Sequence, residues 1–323
     1  MFRGDGRSPK PFWKACWPAF DMNRVIVCGN VVFDILARPV EEVRWEATTV
    51  IETVEQQLGG NAGTTSYTLA KLAVPVTLAS LIGRDDTGDV VMSKLEAAGV
   101  DTSLIRYVNA ATSIAIALVR RNGERALLYQ LGAASEDFPL FTLPEGADHF
   151  HLAAVYRMRH LRSIAPELLK KAKHAGLRTS LDTQWDTEGE WMKVLAPSLP
   201  YVDYALMNED EAFHLTCHKD PAAAAVVLRD LGAKHVIIKR GARGCWADGV
   251  EIPGHAVEAV DTTGAGDCFS GGFVAGLQRG FSIEAAAALA NAVGAMAVQK
   301  VGATAGVRTW DETVAWMQSR RTT

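Results

Sequence analysis

The sequence predicts an α/β fold: a three-layer α/β/α domain with a mostly parallel central sheet and a small inserted β-sheet. Three observations predict it. Short apolar runs alternate with helical stretches along the chain. An Asn-Gly pair sits between two strand-like runs near the middle. The last quarter is helical and rich in small residues. Strand–helix alternation of this kind means a parallel sheet covered by helices on both faces.

The elements follow in order. Residues 25–29 read as a buried strand ending in Gly, and 76–83, 149–154, 177–182, 202–207 and 235–239 look similar. Between them, 62–72, 88–98, 163–175, 209–216 and 221–231 read as helices, and 266–278 and 283–299 follow as two more. Two segments break the alternation. Residues 43–58, VRWEATTVIETVEQQL, are strand-like and rich in Thr and Val. Residues 113–129, SIAIALVRRNGERALLY, place Asn122-Gly123 between two strand-like runs, a type I′ hairpin signal. Together they predict that the inserted sheet is a small antiparallel one, with lid segments at about 36–58 and 111–131. A sheet face without helices over it needs a use, as a lid over a site or as a contact with a second subunit.

Composition narrows the function. The chain has 323 residues, nearly half of them hydrophobic, enough for one large domain or two ordinary ones. A net charge of -4 argues against nucleic acid or a membrane surface as the main partner. No apolar run approaches the roughly 18 to 20 residues of a membrane span. Five cysteines are scattered without C-x-x-C spacing, which fits reduced thiols in the cytoplasm. His214, Cys217 and His218 sit close together, but no second ligand pair is placed to complete a zinc site. Residues 1–21 lack a continuous apolar core and make a poor secretory signal. They are expected to be a disordered extension, with the folded domain over 22–323.

Motifs exclude several chemistries. There is no G-x-x-x-x-G-K-[ST], no G-x-S-x-G and no H-E-x-x-H, and the first strand runs into GNVVFD, not G-x-G-x-x-G. What stands out is 261–272, DTTGAGDCFSGG. Beyond it Phe269, Phe273 and Leu277 recur on one helical face, so the glycines sit at a helix N-terminus. Free N–H groups and the positive end of the dipole make that place an anion site. Asp267 lies in the first turn, where a carboxylate can accept the proton of an attacking hydroxyl. The bland alternative is a tight-packing turn with a dipole-matched acid.

The form D-[TP]-T-G-A-G-D-x-F-x-x-G-F over 261–273 closely resembles the second signature of the ribokinase-like (PfkB) carbohydrate kinase family. Other motifs follow in family order over nearly the whole chain. GNVVFD at 29–34 resembles the family's first strand, and LGGNAGTTSYTLAKL at 58–72 its first glycine signature. IGRDDTG at 82–88 with LEAAGVDTS at 95–103, NEDE at 208–211 and KRGARG at 239–244 are similar to later motifs. The resemblance implies a ribokinase-like fold and an ATP-dependent small-molecule kinase. Asp267 would be the general base, and the N–H groups of Gly264, Ala265 and Gly266 would hold the γ-phosphoryl charge. Asp34 and the Gly59-Gly60-Asn61 turn would bind acceptor hydroxyls. Asn208 and Glu211 would organise Mg²⁺ and its waters, which suits an ion that keeps several waters. Lys239, Gly241 and Gly244 would border the nucleotide, with Asn291 near its base. Asp261 and Thr263 match a loop that takes a monovalent cation in part of the family, which raises the question of K⁺; Gly306 falls near a ligating Ser of some relatives. The inserted sheet matches the family's β-lid, which can also be a dimer contact.

Each residue has a structural rival. Asp34 also reads as a turn residue, Asn208 and Glu211 as ordinary helix N-terminal residues, and Asn291 as a helix surface amide. The sequence departs from the family at two places. Thr64 stands where the family has Asn, which puts the ordinary sugar contact in question. In SLDTQWD at 180–186, Gln184 stands for Asn and Asp186 for Arg, so no phosphate contact is expected there. After the strand at 149–154, Arg157 or Arg159 is a candidate to meet an anionic or strongly polar part of the acceptor. The other readings are a nucleoside kinase, with Trp45 or Tyr156 under the base, and a non-catalytic nucleotide or sugar sensor. A sensor would be expected to have lost GAGD or its base, and this chain has both.

Overall fold

The structure, a computed structural model, describes residues 22–320; the extension expected over 1–21 lies outside them. The first half runs β1 (Arg24–Cys28), β2 (Val32–Arg38), β3 (Thr53–Gly59), α1 (Asn61–Lys71), β4 (Val76–Gly83), α2 (Asp86–Ala97), β5 (Asp101–Val108), β6 (Ile114–Val119) and β7 (Arg125–Gln130). Then come β8 (Ala147–Leu152), α3 (Arg159–His174), β9 (Arg178–Asp182), α4 (Met192–Leu195), β10 (Tyr204–Asn208), α5 (Glu209–Thr216) and α6 (Pro221–Asp230). The chain closes with β11 (His235–Lys239), β12 (Cys245–Ala247), β13 (Val250–Ile252), α7 (Ala265–Gln278), α8 (Ile283–Ala297) and α9 (Trp310–Ser319).

The central sheet has nine strands in the order β13-β12-β11-β10-β9-β8-β1-β4-β5. Only the β11–β12 and β12–β13 pairings, at one edge, are antiparallel. Two apolar layers seal its faces. The α3, α5 and α6 side holds Leu161, Leu168, Leu215 and Leu228 against β8 to β11. The other side holds α1, α2, α7, α8 and α9 through Leu69, Leu95, Val274, Val293 and Trp316. Close packing there needs small residues. A Cβ on Gly276 of α7 would lie 2.8 Å from the Ala286 Cα of α8. The strand order reverses between β8 and β1, and ligand crevices open at the carboxyl ends of strands beside such a switch.

A second, four-stranded sheet has the order β3-β2-β6-β7. Here the structure differs from the sequence reading in four ways. Residues 43–52 form no strand: 41–50 are exposed throughout, so no buried face holds them in an extended pair. The hairpin between β6 and β7 is present, but its turn is not type I′. Gly123 alone has positive φ (87°), and Arg120 N–H donates to the Glu124 carbonyl at 2.8 Å across a three-residue loop. Asp34 is not a turn residue. It lies within β2, opposite Gln57 of β3 and Ala115 of β6. The sheet β2-β6 pair is parallel, not antiparallel.

Candidate active site

A cleft of about 300 Å³ lies between the carboxyl edge of the central sheet and one face of the small sheet. Its upper wall shows strand periodicity. Val32, Asp34 and Leu36 of β2, Ala115 and Ala117 of β6, and Leu127 and Tyr129 of β7 alternate onto the same side. The register puts Asp34, Ala115 and Tyr129 in one row and Leu36, Ala117 and Leu127 in the next. The two alanines leave the room that larger residues would fill.

The floor is made by two helix starts. Gly60, Asn61 and Thr64 come from the first turn of α1, and Gly264 and Asp267 from that of α7. Each pair three apart lies on one helical face, so both helices aim their positive ends at one cleft. Gly60 has φ 81°, and a Cβ there would meet the Asn30 carbonyl oxygen at 2.6 Å. Gly264 caps α7 in the left-handed region, φ 69°. The Ala265 N–H already donates to the Thr262 carbonyl at 3.3 Å, so it is not a free anion donor as the sequence suggested. The amides of Gly264 and Gly266 have no such partner among the described residues.

Asp267 is held by the Asn61 amide, which donates to its Oδ1 at 2.9 Å. Asn61 is in turn oriented from two sides. Its N–H donates to Asn30 Oδ1 at 3.2 Å, and its Oδ1 accepts from Gln184 Nε2 at 2.5 Å. The Asp267 carboxyl is pushed up to about 7, first by burial and then by the Asp182 carboxylate; Lys239 and the Asn61 hydrogen bond oppose the rise. Asp34 is likewise pushed up to about 7, by burial and by Asp261, against a lowering from Arg125. Its carboxyl sits over the α1 approach. A Cβ on Gly59 would lie 2.1 Å from Asp34 Oδ2. Thr64 is 1 % exposed, and its hydroxyl has no hydrogen-bond partner.

Behind Asp267 lies a buried charge cluster. Lys239 Nζ donates to both oxygens of Asp182, at 2.8 and 2.7 Å, and Ser270 Oγ to Asp182 Oδ2 at 2.5 Å. A Cβ on Gly266 would be 3.4 Å from Lys239 Nζ, so the ammonium backs the α7 turn from inside. Burial alone would lower the Lys239 pKa, but Asp182 and Glu211 outweigh it and raise it. Asn208 and Glu211 form a reciprocal capping box at the start of α5, with bonds of 2.8 and 2.9 Å. Glu211 Oε2 also accepts from the Thr183 hydroxyl at 2.9 Å. Burial pushes the Glu211 carboxyl up, against a lowering from Lys239.

Of the remaining sequence candidates, Arg157 and Thr263 line the cleft and the others lie apart from it. Gly241 and Gly244 bound the loop after β11, where a Cβ on Gly244 would meet the Ile252 carbonyl oxygen at 2.1 Å. The Asn291 amide donates to the Ile252 and Pro253 carbonyls, both at 3.1 Å, so it shapes that loop. Arg157 lines the cleft, with its guanidinium 4.9 Å above the Tyr129 ring and no carboxylate partner among the described residues. Arg159 is exposed at the start of α3 and is not in the lining. Of the proposed aromatic platforms, Trp45 is 90 % exposed on the 41–50 loop, and Tyr156 is buried with its hydroxyl on the Trp191 carbonyl. Tyr129 is the aromatic in the lining. Asp186 accepts from Arg162, Glu188 N–H and Trp191 N–H, which organises its own loop. Sequence reading missed Asn30, Tyr129 and the alanine pair, and it named Gln184 only as a departure from the family, not as a partner of Asn61. The alternation of 115, 117, 127 and 129 along two strands was the available signal.

Three similarities bear on this geometry. The family model for pfkB family carbohydrate kinases matches residues 22–310. An ATP-dependent ribose-1-phosphate kinase of Halopiger xanaduensis is 30 % identical over 87 % of this chain and 94 % of its own length. A fructokinase of Vibrio alginolyticus is 27 % identical over 90 % and 98 %. Among solved structures, an E. coli protein provisionally named Ribokinase II, in complex with ATP and Mg²⁺, superposes with a TM-score of 0.82 at 25 % identity. That likeness covers 92 % of this chain and all of the other. The chain therefore belongs to the PfkB family of carbohydrate kinases, with the ribokinase-like fold and an ATP-dependent phosphotransferase activity on an alcohol acceptor.

Proposed function

We propose that the acceptor is a sugar or sugar-like molecule bound in the cleft under the small sheet, with Asp267 as the general base. The observation that carries this is the Asp267 carboxyl, held at the start of α7 by Asn61 and pushed up to about 7. A base with a pKa near the working pH is partly free to take a proton and basic enough to hold it. A hydroxyl beside Asp267 faces the Gly264 and Gly266 amides, where charge on a transferring phosphoryl group would be stabilised. Asp34 and the unpartnered Thr64 hydroxyl are the groups for the acceptor's other hydroxyls. Arg157, with no carboxylate of its own, is the group for an anionic or strongly polar substituent. The ribose-1-phosphate kinase relative handles a substrate of that kind.

ATP is read along the carboxyl edge from the α7 turn towards the Gly241–Gly244 loop. Mg²⁺ on its phosphates fits the Asn208 and Glu211 oxygens, reached through water, and would offset the phosphoryl charge. We read the four-stranded sheet as a lid that excludes water from the transfer. Its exposed apolar residues, including Val54 and Leu128, suit a contact with a second copy of the chain. Among the described residues no helix is long and apolar enough to cross a membrane, and we place the chain in the cytoplasm on its free cysteines.

The test is ADP release with ATP and Mg²⁺ across sugars, sugar acids, sugar phosphates and nucleosides, with Asp267→Asn alongside. Acceptor-dependent release that collapses in the variant is the expected result. Turnover that survives in Asp267→Asn would move the base elsewhere. Nucleosides as the only acceptors would replace the sugar reading.

A further inference from the structure

The loop that leads into the α7 turn was expected to suit a monovalent cation. A K⁺ ion needs several oxygens free to replace its water. Asp261 does not offer them. Its Oδ1 accepts from the Thr263 N–H at 2.9 Å, the Thr263 hydroxyl at 2.6 Å and the Arg125 guanidinium at 3.1 Å. Its Oδ2 accepts from the Gly302 N–H at 2.8 Å. The same guanidinium contacts the Thr263 hydroxyl. On the facing loop the Val298 carbonyl accepts from the N–H groups of Val260 and Asp261, at 2.7 and 3.1 Å. Gly306 brings no side-chain oxygen, and a Cβ there would lie 2.4 Å from the Met296 carbonyl oxygen. These residues do not fit the ion.

We infer that the Arg125 guanidinium, carried in by β7 of the small sheet, takes the place of a monovalent cation on the 261–263 loop. The charge logic is local. Asp261 faces the Asp34 carboxyl closely enough to disfavour its ionisation, and Arg125 opposes that effect. Arg stays protonated at any working pH, so the countercharge is permanent. It is also forked, so it meets the carboxylate and the Thr263 hydroxyl from one side. A second tie lies beside it. Gln57 of β3 donates to the Val301 carbonyl at 3.0 Å, and a Cβ on Gly302 would run into that amide at 1.5 Å. Two strands of the small sheet therefore seat on the two loops that frame the α7 start. Arg125 is a positioning residue: it holds 261–263, and 261–263 leads directly into Gly264 and Gly266. A family member built this way brings its cation with its lid and needs none from solution.

Two measurements test it, and only the second rests on the kinase reading above. In thermal melting, the unaltered chain should have the same midpoint in KCl, NaCl and tetramethylammonium chloride at one ionic strength. Arg125→Ala and Arg125→Gln should melt lower in tetramethylammonium chloride and recover in KCl. In ADP release with an accepted sugar, the unaltered chain should be indifferent to K⁺. Arg125→Ala should lose roughly fivefold in turnover, as for a partly exposed ion pair, and regain it with K⁺. Arg125→Lys should remain indifferent to K⁺. A K⁺-specific rise in melting or turnover of the unaltered chain overturns the inference. So does an Arg125→Ala defect that K⁺ leaves untouched. Absence of turnover with every acceptor would sink the function proposed above, while the melting comparison would still decide this one.

Discussion

The floor of the cleft and the sheet that roofs it are held by different forces. On the floor the Asp267 cluster is tied together by bonds between elements: Asn61 of α1 to Asp267 and to Gln184 beyond β9, Lys239 of β11 to Asp182, and Glu211 of α5 to Thr183. Asp182, Gln184 and Glu211 are buried, so their bonds are strong and a lost partner there is expensive. The roof is thin. Leu127 and Leu128 of β7 and Val54 of β3 are exposed, and side-chain ties such as Arg125 to Asp261 and Gln57 to Val301 anchor its edge. Regions with few buried apolar contacts open at low free energy. Under the function proposed above, the difference amounts to a division of labour: the densely bonded floor holds the proposed base, and the lightly anchored sheet covers the cleft.

The comparison can be broken first at the base. Asp267→Asn should reduce turnover by about 10²–10⁴-fold with the apparent KM for ATP nearly unchanged, measured by steady-state ADP release. A loss below tenfold would mean that the floor does not hold the base. Next, Lys239→Met leaves Asp182 buried without its cation. It should destabilise the fold by about 3–5 kcal/mol in denaturant unfolding, whereas Arg125→Ala in the roof should remain near or below about 1 kcal/mol. Equal losses would erase the distinction between the two regions.

The pH dependence sharpens the same point. Below about 7 the Asp267 carboxyl takes its proton, so kcat/KM should fall about tenfold per unit of pH there and level off above. Stability runs the other way. The folded chain keeps this proton up to about 7, while the unfolded chain loses it near 3.8. Between those values the folded state binds more protons, so this residue's contribution to stability falls as pH rises. Asp267→Asn should therefore raise the melting midpoint, relative to the unaltered chain, more at pH 8 than at pH 5.

Two smaller effects belong to the roof side. Arg157→Ala should raise the KM of an anionic acceptor by about tenfold, the worth of one charged hydrogen bond, and change that of a neutral sugar little. An unchanged KM for the anionic acceptor would remove Arg157 from substrate binding. Leu128→Ser should alter monomer stability by no more than about 0.5 kcal/mol. If the roof meets a second copy, the same change should shift the mass seen in sedimentation.

The sequence by itself determined the alternation that makes the parallel sheet, the glycine turn at the start of α7 and the acid in its first turn. Those are local: a helix start, a strand period or a positive-φ turn is written within a few residues. It also carried the hairpin, though not its turn type, since Asn122-Gly123 suits more than one loop length. What only the tertiary structure decided is who meets whom. Gln184 and Asn61 are 123 positions apart, Asn61 and Asp267 206, and Arg125 and Asp261 136. Strand order and the docking of the small sheet set those meetings, and no local pattern encodes them. The same reason explains Asp34. Its identity was legible, but its place in β2, and the burial that raises its pKa, depend on β3 and β6 lying beside it.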